Sequence, residues 1–130
     1  MSSTKYFPVV DKVMRELGYQ LVSSKLHSES FGNLSAVYER ADCFSVRFTT
    51  DRGDFFIDIK PRTGLFASSR WYHLYPLFET LKEGGYSIEW AKGDDIESTE
   101  VFIRNTLTLL ISLKEKLTFS YLDGLSIREN

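Results

Sequence analysis

Apolar positions Val10, Val13, Met14 and Leu17 recur at helical spacing near the start of the chain. With Thr4 as a cap, Pro8 in the early turns and Gly18 as a stop, they predict a first helix over residues 4 to 17. From Tyr19 to Lys60 the pattern changes to short β-type runs, "YQLVSSKL", "SAVYER", "CFSVRFTT" and "DFFIDIK", separated by "SFGN", "AD" and "DRGD". Four antiparallel strands in a meander is the simplest arrangement of these runs. "KPRTGLFASS" breaks the periodicity and predicts a loop. Trp71, Leu74, Phe78 and Leu81 then suit one helix face. Pro76 would remove an interior hydrogen bond if that helix began at Arg70, so the predicted start is near Leu74, with an end at Gly84-Gly85.

"YSIEWA" reads as a short fifth strand or an irregular crossing. Asp94 and Glu97 then resemble a capping arrangement that opens a long helix over roughly residues 95 to 118. Its apolar positions form two stripes, one of Ile103, Leu107, Leu110 and Leu117 and a second of Phe102, Leu109 and Leu113. Together they are wider than a surface helix needs and require cover from the sheet and from helix one or a partner chain. Asp123-Gly124 predicts a turn, and residues 122 to 130 a loose tail. The expected class is α+β: an antiparallel sheet of four to five strands packed against N-terminal, middle and long C-terminal helices.

Parity fixes the centre of that sheet. Phe44, Val46 and Phe48 share one strand face, and Phe55, Ile57 and Ile59 share another. For these sets to meet, Phe48 must lie opposite Ile57 and Val46 opposite Ile59, which places Arg47 opposite Asp58 on the other face and requires an even loop. Arg is poorly suited to the positive φ of a tight type I′ turn, so a four-residue loop of Asp51 to Asp54 is preferred to Arg52-Gly53 alone.

At 130 residues the chain is long enough to bury one core as a single domain without disulfides or metal. Its aromatic share of 15% suits a well-packed sheet. The single cysteine, Cys43, cannot form an internal disulfide and sits where a buried thiol is expected. No secretory pattern and no membrane-length apolar run occurs, so the expected setting is soluble and cytoplasmic, without a membrane partner. That setting disfavours Arg52-Gly53-Asp54 as an adhesion motif. A formal charge of −2 gives no overall attraction to nucleic acid, so no direct nucleic-acid partner is expected.

Candidate chemistry is sparse. His27 and His73 lack companions at metal-ligand spacing. No serine has a nucleophile-elbow context, and no phosphate or dinucleotide loop is present. No catalytic residue, metal or cofactor is assigned. The charge distribution is more informative: residues 79 to 100 hold seven acids against Lys82 and Lys92, a local net of −5. Such a run reads as a solvated surface or as a docking face for a basic partner, flanked by aromatic anchors. The candidate contact residues are Glu89, Trp90, Asp94, Asp95, Glu97, Glu100, Trp71 and Tyr72.

The order "VVDKVMRELGYQLV", "VYERADCFSVRFTTDRGDFFIDI" and "WYHLYPLFETLKEG" resembles small bacterial immunity proteins, particularly those of contact-dependent growth inhibition systems, over most of the chain before about residue 85. The resemblance implies a cytoplasmic protein without enzymatic activity that binds and blocks the toxic C-terminal domain of a delivered effector, often a nuclease and therefore basic at its cleft. These families share no catalytic residues, so no site carries over. Two other readings stay open. One is a ligand-binding or enzymatic domain with a pocket drawing on His27, His73, Tyr72 or Arg70; the other is an adaptor that forms a homodimer through the second helix stripe.

Overall fold

The computed structural model describes residues 7–27, 33–51, 54–61, 70–86 and 96–125. Their element order is α1 (Phe7–Glu16), β1 (Gln20–His27), β2 (Asn33–Glu39), β3 (Ser45–Asp51), β4 (Asp54–Lys60), β5 (Tyr72–His73), α2 (Leu74–Glu83), α3 (Ile96–Ser112) and α4 (Phe119–Asp123). The strands form one antiparallel sheet in the order β1-β2-β3-β4-β5, so the α+β class and the meander are both present.

The β3–β4 register is the one that parity demands. Phe48 faces Ile57, Val46 faces Ile59 and Arg47 faces Asp58. The preferred four-residue loop, however, is corrected. Asp51 pairs with Asp54, leaving only two residues between the strands, because the ladder continues past the point where turn preference alone would end it. At the other end of the sheet, β1 carries a bulge at Val22. The extra residue shifts the later β1 pairs by one position, bringing Leu26 opposite Leu34.

A fifth strand that the sequence reading did not anticipate is Tyr72–His73, paired with Ile59 and Asp58. The run "YSIEWA", read as a short strand or an irregular crossing, lies outside the described residues after Tyr86. Two residues carry too little periodicity to announce a strand; the free edge of β4 specifies this one. The chain then enters α2 at Leu74, as Pro76 predicts, with proline in the first turn.

Both glycine stops are built the same way. Gly18 and Gly85 have φ of +88° and +97°. At the first, the Tyr19 N–H donates to the Met14 carbonyl and the Gly18 N–H to that of Arg15. At the second, the Tyr86 N–H donates to Leu81 and the Gly85 N–H to Lys82. These are paired Schellman bonds that satisfy the last helical carbonyls, and the left-handed residue within them is where glycine is needed.

The predicted long helix ends early. α3 stops at Ser112, the chain turns through residues 113–116, and Leu117 reaches the core from outside the helix. The apolar spacing continues through Leu117, but "KEK" before it is exposed or part-exposed and lies in the turn. The expected tail from residue 122 is corrected in part too: α4 occupies 119–123, its Thr118 Oγ1 accepting from the Tyr121 N–H at 3.1 Å.

The core lies on one face of the sheet. Ala36, Tyr38, Val46, Phe48, Ile57 and Ile59 point into it, meeting Val10, Val13 and Met14 of α1, Leu74, Leu77 and Phe78 of α2, and Phe102, Ile103, Leu107 and Leu110 of α3. The second stripe expected of the long helix is covered within the chain: Phe102 is buried, and Leu109, with Leu113 just past the end of α3, is partly buried against the same cluster. Tyr38 ties sheet to helix by donating its hydroxyl to Asp11 Oδ1 at 2.9 Å. Cys43 is buried, as expected. No described helix is long and apolar enough to cross a membrane.

Candidate functional site

The sheet face opposite the core carries the second set of alternating side chains. Val37 pairs with Arg47, Arg47 with Asp58 and Asp58 with His73, so one row of the outer face crosses four strands. Asp58 is only 3% exposed although it lies away from the apolar core. Its Oδ2 accepts from Arg47 Nη2 at 2.8 Å and Nε at 3.2 Å, and its Oδ1 lies 2.6 Å from His73 Nδ1. Trp71 completes the cluster. The Arg47 guanidinium carbon is 4.5 Å from the indole centroid and the Lys60 ammonium 5.1 Å, both within cation–π range.

The His73 contact could be found in the sequence only with the β4–β5 pairing already in hand. There is one indirect signal. His73 occupies the N-cap of α2, where Ser, Thr, Asp or Asn is preferred, and its side chain makes no capping bond. The imidazole turns to Asp58 instead, leaving its side chain 74% exposed. Beside this cluster runs an open groove of about 680 Å³, whose lining includes Gln20, Val22, Glu39, Arg40, Ser45 and Lys60.

Those of the predicted contact residues that the structure describes do not share one surface. Glu89, Trp90, Asp94 and Asp95 lie outside the described residues. Tyr72 is buried, and its hydroxyl donates to Asp123 Oδ1 at 2.5 Å; burial and that bond raise its pKa. Trp71 stands on the outer face of the sheet. Glu97 is exposed in the first turn of α3. Glu100, one turn on, is engaged within the chain: it accepts from Lys12 of α1 at 3.2 Å and from Arg104 at 3.0 Å, and Arg104 also reaches Glu16 at 2.6 Å. Arg104 first, then Lys12, hold the Glu100 carboxyl below its ordinary pKa. Glu100 therefore joins α1 to α3, with the sheet between it and Trp71.

The pocket postulated from His27, His73, Tyr72 and Arg70 is not assembled by the described side chains. Tyr72 and His73 alternate to opposite faces, and Arg70 binds Asp123 at 2.6 Å beside Tyr72. The side chain of His27 lies outside the description. Among the described residues no three His, Cys, Asp or Glu side chains gather to hold a metal ion.

Asp42 offers a test of the electrostatics. Lys114 at 2.9 Å and Arg40 at 2.8 Å hold its carboxyl down to about 2, from an ordinary 3.8. A depressed folded pKa contributes stability fully above the unfolded value and loses it as pH falls through the folded one. The contribution of Asp42 should therefore fade between about pH 4 and pH 2. Carboxyl-detected NMR titration should place its midpoint near 2, moving toward 3.8 in Lys114→Ala. An unchanged midpoint in that variant would remove Lys114 as the cause.

No protein-family model, curated protein or solved structure matches this chain.

Proposed function

We propose that this chain is an immunity-type inhibitor, which binds the toxic C-terminal domain of a cognate contact-dependent growth inhibition effector and blocks it without chemistry of its own. The reading begins from the sequence resemblance. The observation that carries it is the exposure of large apolar side chains close in sequence to the acidic segment: Tyr75 on α2, Tyr86 just after it and Val101 on α3 are 54%, 37% and 56% exposed, and Glu97 stands exposed at the start of α3. Large aromatic side chains beside acids suit a protein partner with a basic cleft.

In this reading Glu89, Asp94, Asp95 and Glu97 steer the partner and the neighbouring aromatics anchor it. Glu100 contributes less, because its carboxylate already serves Lys12 and Arg104. The described carboxylates at Asp11, Asp42, Asp58, Glu100 and Asp123 each hold one part of the fold to another, which favours binding over catalysis.

The test has two arms. Co-expression with a toxin domain encoded by a neighbouring gene should restore growth and yield a complex that survives purification. Lysine at Glu89, Asp94, Asp95 and Glu97 together, sparing Glu100, should weaken that complex by about a hundredfold, chiefly through slower association. Unchanged affinity in the folded variant overturns this surface; absence of protection and of any complex overturns the function.

A further inference from the structure

The outer face of the sheet holds a polar assembly that the proposed acidic surface does not use. Asp58 is buried there, paired to Arg47 and His73, and two cations lie against one indole. Arg47 is neutralised by Asp58. Lys60 has no carboxylate within ion-pair distance among the described residues, and it shares the Trp71 ring with Arg47. The exposed imidazole of His73 closes the other side of Asp58. The cluster thus presents an excess of positive charge around a half-buried aromatic, with Arg47 fixed in place by two hydrogen bonds to Asp58. A carboxylate arriving at Lys60 would supply the counter-charge that Arg47 already has in Asp58, and the Asp58 bonds spare it the ordering of Arg47.

The groove decides the kind of occupant. It runs from Lys60 past Ser45 and Glu39 to Gln20 and Val22, and Arg40 on its wall is already paired with Asp42, so a small anion would fill only the Lys60 end. A polyanionic nucleic-acid backbone would meet Glu39 and Asp42 along the same path. An extended peptide fits both parts: acidic residues at Lys60 and Trp71, then polar or apolar residues along the groove, where Val22 is 49% exposed. We propose that Trp71, Arg47, Lys60 and His73 form a docking site for an acidic peptide segment of a partner protein, with the groove toward Gln20 and Val22 taking the uncharged residues that follow. The site uses none of the acidic residues of the proposed function and does not depend on the toxin-binding reading.

The test titrates the full ¹⁵N-labelled chain with a capped hexapeptide of two adjacent glutamates followed by four uncharged residues. The Trp71 indole N–H and the amides of Ser45 and Lys60 should move together and saturate. The matching peptide with glutamines should bind about fivefold more weakly, the effect of a surface charge pair near the top of its usual range. Lys60→Glu should abolish the response, and the milder Lys60→Gln should reduce it in the same direction if the reversal disturbs the fold. No movement at millimolar peptide, equal movement with the glutamine peptide, or full binding by either Lys60 variant overturns the proposal. Inorganic phosphate moving the same signals as strongly as the peptide would overturn the peptide as occupant.

Discussion

Phe78→Ala is expected to destabilise the protein by about 3–5 kcal/mol, the range for removing a buried aromatic side chain. Phe78 is fully buried on α2 and meets Phe102 of α3 edge-on, with ring centroids 6.0 Å apart and planes at 85°. Truncation removes both the transferred area and that ring contact. The resulting cavity lies between two helices whose positions are set by many other side chains, so it can close only in part. Urea unfolding should show a lower midpoint with an unchanged slope, the signature of lost stability without a changed denatured state. Against a typical total of about 5–15 kcal/mol, the loss is large enough to leave a measurable unfolded population at 37 °C. Steady-state abundance in cells should fall with the folded population. Val101→Ala, at a position 56% exposed, is the control and should change stability by less than about 0.5 kcal/mol. A cost below about 1 kcal/mol for Phe78→Ala would mean that the two helices are not packed as described.

Arg47→Ala should cost about 2–3 kcal/mol, more than a surface ion pair and less than a fully buried one. The reason is asymmetry. Arg47 is partly exposed and would give up its charge cheaply, but Asp58, with its side chain 4% exposed, would remain buried with His73 as its one close partner among the described residues. Leaving a charge buried is what makes breaking such pairs expensive. The loss of the Trp71 stack adds to it. A double-mutant cycle distinguishes this from simple loss of packing: Arg47→Ala with Asp58→Ala should cost clearly less than the two single changes added together. Additive costs would show that the pair contributes no coupling, and would weaken the view of Asp58 as the anchor of the outer-face cluster.

Strong periodicity made some parts of the structure legible in advance. The Phe48–Ile57 register, the Arg47–Asp58 pairing and the two glycine stops follow from alternation and from helix-end chemistry, which act over a few residues. The parts that were not legible depend on contacts distant in sequence. Tyr72–His73 is a strand because β4 has an open edge. The turn after Ser112 interrupts an apolar spacing that itself continues to Leu117. The tight β3–β4 connection went against the turn preference of Arg because the ladder extends to Asp51 and Asp54. The site divides in the same way. The aromatic character of Trp71 and the acidity before α3 are visible as composition, whereas the sheet that separates Trp71 from Glu100, and the use of Glu100 as a helix-to-helix contact, require the topology.

The order of strands in the sheet is the order in the chain, so every strand pairs with the one made just before it. During synthesis the sheet can therefore zip up from β1 to β5 without waiting for distant sequence, the low-contact-order route to rapid folding. The exception is α1, whose polar latch to α3 joins Lys12 to Glu100, 88 residues later. At roughly 5–20 residues per second on the ribosome, its apolar face waits several seconds for part of its cover. A nascent chain stalled before α3 would offer that face to chaperones, and the finished chain would withdraw it.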